Sequence, residues 1–208
     1  MRRLMRSPAS CMVPGNRVLA DLMYGWGNEG WSAREDFLIA CVEQAMSTTG
    51  PILECGCGLS TIVVGSIARR RGKRHWALEH LPAWTGKVRR RLDRYGLQTV
   101  TLYHAPLVDY GEFHWYDVRQ HSLPPSFALV ICDGPPGGTP GGRYGLVPVM
   151  HDRLAPGCVI LLDDAGRDQE LEIAHRWSAE LGARVEAGGS GRTYAKLTVV
   201  GKMLSASA

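Results

Sequence analysis

The sequence predicts a doubly wound α/β fold built on one mostly parallel sheet, and three observations carry that prediction. From residue 51 onward, short apolar runs rich in β-formers alternate with segments of helical period. The runs are nearly continuous in apolar character instead of alternating, as strands are when both faces of a sheet are covered. The chain has 208 residues, 45% of them apolar and 21% charged, which suits one structural domain.

Taken in order, the predicted strands are Pro51–Cys55, His75–Leu78, Thr99–Tyr103, Phe127–Cys132 and Cys158–Leu162, with two closing runs near Ala183–Glu186 and Thr193–Val200. Between them fall helices at Ser60–Arg70, Ala83–Tyr95, Tyr144–Leu154 and Asp168–Leu181. Gly72, Gly96, Gly157 and Gly182 follow close on these helices, where a C-terminal cap favours glycine. Upstream, Ser32 and Glu35 have capping-box spacing before the periodic residues Phe37, Leu38, Cys41, Val42 and Ala45, which predicts a helix over Ala33–Met46. Residues 1–49 are thus expected to form a helical segment and lid, and residues 50–208 the main α/β domain.

Composition excludes several classes. A net charge of +4 demands neither a nucleic acid nor a membrane partner. No run of 18 apolar residues is present to span a bilayer. The six cysteines, 11, 41, 55, 57, 132 and 158, form no C-x-x-C pair and are expected as buried thiols of a cytoplasmic protein. The basic N-terminus, MRRLMRSPASCMVPG, lacks the apolar segment of a secretory signal and is expected to be a frayed, solvated end.

The chemistry lies in the turns that follow the strands. The first strand runs into Glu54-Cys-Gly56-Cys-Gly58-Leu-Ser60-Thr61. Two glycines let the backbone turn sharply and approach a ligand, and the next helix offers unpaired N–H groups. A dinucleotide fingerprint would want a third glycine where Thr61 stands. Glu54 suits a ligand bearing an ammonium better than a pyrophosphate. The second strand ends at Glu79-His80, and a carboxylate there can accept both ribose hydroxyls of a nucleoside cofactor; the alternative is a solvated acid. The third ends at His104-Ala105, placed by topology beside an adenine. The fourth ends at Asp133 before Gly-Pro-Pro-Gly-Gly, and the fifth at Asp163-Asp164. Three acids on the carboxyl edge of adjacent strands call for a cation. Their hard oxygen donors favour Mg²⁺, with Ca²⁺ or Mn²⁺ as alternatives. The competing reading makes them helix caps and turn closers.

The series ILECGCGLST, ALEH, LVICDGPPGG and VILLDDAGR resembles the class I S-adenosylmethionine (SAM)-dependent methyltransferases over residues 50–200. That resemblance implies a Rossmann-like, seven-stranded, mostly parallel sheet closed by a C-terminal antiparallel hairpin. It implies a cofactor set of Glu54, Gly56, Gly58, Ser60, Glu79, His80, Ala105 and Asp133. A narrower similarity is to the metal-dependent O-methyltransferases of the catechol and caffeoyl-coenzyme A type and to relatives acting on antibiotic sugars. It implies Asp133, Asp163 and Asp164 as metal ligands. Where the catechol type carries a basic Lys three residues after its first metal Asp, Pro136 stands here. The candidate bases are then His104, His151 and Asp164, with Asp133 beside them.

The expected activity is methyl transfer to a hydroxyl of a small molecule with divalent-metal help. A metal-independent methyltransferase, a nicotinamide-dependent oxidoreductase and an RNA-binding or RNA-modifying protein are the alternatives. Tyr24–Ser32, rich in Gly and Trp, suits either a lid or a loop anchored by core tryptophans. Gly137–Arg143 suits a second wall of the pocket, with Arg143 and Arg167 facing an anionic substrate or serving as ordinary surface cations. Residues 69–94 hold ten of the 24 Lys and Arg. Their first cluster falls on the amino edge of the sheet, where cations compensate helix dipoles or meet an anionic partner. Pairing into a homodimer is a further expectation.

Overall fold

The computed structural model describes residues 1–27, 32–190 and 193–200. Near-continuous apolar strands separated by helices give a seven-stranded sheet. Its strands are β1 (Ile52–Cys55), β2 (His75–Glu79), β3 (Val100–His104), β6 (Phe127–Cys132), β7 (Leu154–Asp163), β8 (Arg184–Gly188) and β9 (Tyr194–Thr198). Their order is β3-β2-β1-β6-β7-β9-β8, parallel up to β7 and antiparallel at β9 and β8. The predicted doubly wound sheet with its reversed closing hairpin is therefore present. A short hairpin of β4 (Leu107–Asp109) and β5 (His114–Tyr116) stands apart, and periodicity gave no sign of strands this short.

The helices are α1 (Arg2–Arg6), α2 (Arg17–Trp26), α3 (Glu35–Ser47), α4 (Leu59–Arg70), α5 (Pro82–Tyr95), α6 (Leu146–Met150) and α7 (Asp168–Leu181). Strand period divides the core in two. Ile52, Ala77, Leu129, Ile131 and Leu161 face one layer, with side chains of α1 to α5. Leu53, Leu78, Val130, Cys132, Ile160 and Leu162 face the other, with α6, α7 and Trp115 and Tyr116 of the small hairpin. Every strand residue so counted is buried, which is why these runs are apolar throughout. All six cysteines are free and buried. Among the described residues no helix is long and apolar enough to cross a membrane.

Four expectations need correction. The helix predicted over Tyr144–Leu154 is shorter and not uniform: an α-helix over Leu146–Met150 tightens into a 3₁₀ turn at His151–Arg153, and Leu154 already belongs to β7. Gly157 consequently lies inside β7 and caps no helix, whereas Gly96 and Gly182 do cap α5 and α7. Ser32 does not cap α3; the helix starts at Glu35 after Arg34, and among the described residues the Ser32 hydroxyl has no partner. The N-terminus is not frayed: Leu4, Cys11 and Leu19 are fully buried against the core.

The basic cluster explains how that N-terminal layer is held. Arg69 donates to the carbonyls of Tyr95 and Gly96 (3.4 and 3.0 Å), at the end of α5. Arg70 donates to those of Met5 and Arg6 (2.7 and 3.0 Å), at the end of α1. Arg71 reaches the Met46 carbonyl (2.7 Å) at the end of α3, and Lys73 that of Thr49 (2.7 Å). Four cations within five residues, at the end of α4 and just beyond it, thus satisfy carbonyls at or near the C-termini of neighbouring helices, where positive charge is favoured.

Candidate active site at the carboxyl edge of the sheet

A cavity of about 600 Å³ opens at the carboxyl ends of β1, β2, β6 and β7. That is where open α/β sheets bind ligands, and the size suits a drug-sized molecule. Its floor is the turn between β1 and α4. Gly56 has φ +82° and passes against Asp133 and Gly134, closely enough that a Cβ would lie 3.0 Å from their backbone. The Gly58 N–H donates to the Thr61 hydroxyl (2.8 Å), so the residue standing where a third glycine was sought serves as an internal cap. The indole N–H of Trp84 donates to the Cys57 carbonyl (2.6 Å) and fixes the turn from α5.

Glu79, at the tip of β2, lines the cavity while nearly buried. It accepts from the N–H groups of Leu81 (2.8 Å) and Cys57 (3.2 Å), and His80 Nδ1 lies 3.1 Å away. Burial pushes its pKa up, but these hydrogen bonds outweigh burial and hold it below the usual carboxylate value. Gly56, Gly58, Ser60, His80 and Asp133 also line the cavity. Glu54 does not: its carboxylate lies on the α4 side, bonded to the Ser60 hydroxyl (2.5 Å) and 3.0 Å from His75 Nε2, and it is wholly buried. The predicted contact of Glu54 with the ligand is replaced by support of the helix that carries Ser60. Ala105 is fully buried in the core layer that holds Trp115 and Tyr116 and does not line the cavity.

Of the predicted bases, neither His104 nor His151 reaches the cavity. His104 Nε2 contacts the His80 carbonyl (3.1 Å). His151 precedes β7, at the opposite edge of the sheet, and pairs with Asp152 (3.2 Å). The structure adds Tyr116 of β5, which sequence reasoning missed with its hairpin. It lines the cavity, and among the described residues its buried hydroxyl has no hydrogen-bond partner. Trp26 packs edge-on against Trp84 in the core, favouring the anchored loop over a lid for that residue. Asn28–Trp31 of the predicted lid lie outside the described residues.

Asp133, Asp163 and Asp164 come together as predicted, with a ligand oxygen of each within 4.8 Å of the others. Asp164 adopts φ +59°, a conformation Asp tolerates better than most residues, and this turns the chain directly after β7. Burial and the neighbouring Asp163 push Asp133 well above the usual carboxylate range, with Arg143 opposing. Burial raises Asp163 to about 6. The chemistry of three clustered carboxylates suits a hard divalent ion, but the place is shared with a guanidinium. Arg143 Nη2 donates to Asp133 Oδ1 (3.2 Å) and Asp164 Oδ2 (2.8 Å), and Nη1 to the Asp163 carbonyl (2.7 Å). The carboxylate oxygens that would face an ion are thereby already engaged as acceptors of a fixed positive charge. With Arg143 in place the residues do not fit a divalent ion.

Comparison with known proteins agrees with this layout. A family model described as a methyltransferase domain matches residues 53–165, from β1 to just past the Asp163-Asp164 pair. No curated protein sequence matches. Among solved structures, an O-methyltransferase from Bacillus cereus in complex with S-adenosylhomocysteine (SAH) is similar, with TM-score 0.61 at 16% identity, covering 90% of this chain and 92% of that one. A methyltransferase from Geobacter sulfurreducens gives 0.63 at 15%, covering 90% and 91%. The SAH-bound methyltransferase PaMTH1 of Podospora anserina gives 0.53 at 18%, covering 89% and 97%. The family match spans more than half of the sequence, and the chain belongs to this methyltransferase-domain family, with the class I SAM-dependent fold.

Proposed function

We propose that the protein transfers a methyl group from SAM to a hydroxyl oxygen of a small molecule. The observation that carries the reading is one cavity that joins the Gly56–Gly58 turn and Glu79 to the carboxylates of Asp133 and Asp164. The turn approaches the cofactor with its backbone, and Glu79 accepts from the ribose hydroxyls through lone pairs left by Leu81 and Cys57. The SAH carried by the Bacillus and Podospora structures supports this cofactor for the same fold.

In the transfer a lone pair of the substrate oxygen attacks the methyl carbon in line. The S–CH₃ bond breaks with its electrons left on sulfur, giving SAH, and the hydroxyl proton passes to Asp133. That carboxylate lines the cavity with Oδ1 held by Arg143, so that Oδ2 can take the proton. Holding the two reactants in line is the larger part of the catalysis. Divalent-metal assistance by Mg²⁺ is the second reading, favoured by the clustering of the three acids and opposed by Arg143.

Methyl-labelled SAM offered with a panel of phenols, sugars and amines tests the reading. Label should appear in an ether product; label in N-methyl products alone would replace the hydroxyl acceptor with an amine.

A further inference from the structure

Clustered carboxylates in a partly buried site need positive charge among them, and in this chain the charge is covalently attached. Arg143 is 3% exposed, and its guanidinium contacts all three members of the acidic set: the side chains of Asp133 and Asp164 and the backbone carbonyl of Asp163. Nε also points to the Pro135 carbonyl at 3.5 Å. A second guanidinium continues the pattern. Arg167 Nη2 lies 3.0 Å from Asp164 Oδ1, and its Nη1 lies 3.8 Å from Oε1 of the buried Glu170. Acid and base therefore alternate from Asp133 through Arg143, Asp164 and Arg167 to Glu170.

The segment carrying Arg143 is itself anchored. The Gly142 N–H donates to the Thr139 carbonyl (2.8 Å), the Tyr144 N–H to that of Gly141 (3.0 Å), and the Trp177 indole to that of Tyr144 (2.9 Å). Moving the guanidinium aside would uncover a buried charge and strip Asp133 and Asp164 of a partner, which is strongly unfavourable. A planar fork that bridges two carboxylates and a carbonyl also has the donor geometry that a lysine lacks.

We propose that Arg143 is the resident cation of this site. It takes the place that a divalent ion would occupy among Asp133, Asp163 and Asp164, so the protein neither binds nor requires Mg²⁺, and it positions Asp133 toward the substrate. The inference rests on the methyl-transfer reading for its role in turnover, but its cation-binding part is independent of that reading.

The test is Mn²⁺ binding followed by electron paramagnetic resonance, alongside SAH binding by calorimetry, on the full chain. The wild type should retain no Mn²⁺ at 100 μM and keep its SAH affinity and turnover within twofold in excess chelator. Arg143→Ala frees the carboxylates and should bind one Mn²⁺ at least tenfold more tightly than the wild type, a gain that mere structural damage would not produce. Tight 1:1 Mn²⁺ binding by the wild type, abolished by Asp163→Ala, would overturn the proposal. Should Arg143→Ala fail to fold, the wild-type titration alone decides. Absence of SAH binding in a protein that also refuses Mn²⁺ would count against the methyl-transfer reading and leave the cation assignment standing.

Discussion

At Gly56 the backbone of the first turn touches that of Asp133 and Gly134, and φ is +82°. A side chain there is strained twice, by conformation and by space. Gly56→Ala should therefore destabilise the fold by about 1–3 kcal/mol in urea unfolding and weaken SAH binding at least tenfold; unchanged values would show that the turn yields easily. Glu79 allows a sharper prediction. Hydrogen bonds to a charged group contribute about 1.5–3 kcal/mol, so Glu79→Gln should lower SAH affinity roughly 10- to 100-fold. The pH dependence follows from the lowered pKa. Folding holds Glu79 below 4.5, so its carboxylate stabilises the native state at all pH above that value, and the contribution is lost as pH falls through the lowered folded value. The difference in stability between wild type and Glu79→Gln, followed by denaturant titration, should shrink as pH falls below 4.5 through the lowered folded value.

Elements differ in how far their sequences announce them. Strands β1, β2, β6 and the second half of β7 were legible because burial of nearly every residue makes them continuously apolar, and α7 because its apolar face has helical period and Gly182 ends it. The β4–β5 hairpin was not, since its strands have three residues each and its two buried aromatics, Trp115 and Tyr116, are adjacent and show no alternation. The site divides in the same way. Glu79, Asp133, Asp163 and Asp164 end strands and so are placed by topology, whereas the inward course of Arg143 depends on a loop with no periodic signal. Glu54 was misassigned because strand alternation puts it on the α4 face, one step out of phase with the cavity. Within the expected N-terminal helical segment, α1 and α2 were not placed individually, for MRRLMRSPAS reads as polar until the carbonyls at the end of α1 find Arg70. Leu4 of α1 is fully buried, so Leu4→Ala should cost about 2–5 kcal/mol in chemical denaturation. A loss under about 0.5 kcal/mol, the usual scale of a surface change, would mean that α1 is frayed in solution.

The whole molecule couples these parts because the cavity is built from four adjacent strand ends and the helices that leave them. A ligand bound there contacts residues on both sides of β1 and stabilises only the assembled sheet. By mass action, a ligand at 100 times its dissociation constant adds about 2.7 kcal/mol to the unfolding free energy. For a domain of this size each kcal/mol raises the melting temperature by roughly 2–4 °C, so SAH at that concentration should raise it by roughly 5–10 °C in a single cooperative transition. NAD should produce no such rise, because Thr61 stands where a pyrophosphate-binding turn would have its third glycine, and its hydroxyl takes up the Gly58 N–H. Cooperative stabilisation by NAD with none by SAH would return the fold to the dinucleotide-binding oxidoreductases. Stabilisation by SAH that appears only when Mg²⁺ is added would instead locate the error at Arg143, since the sheet and its cofactor turn would then be working as described and only the source of positive charge would differ.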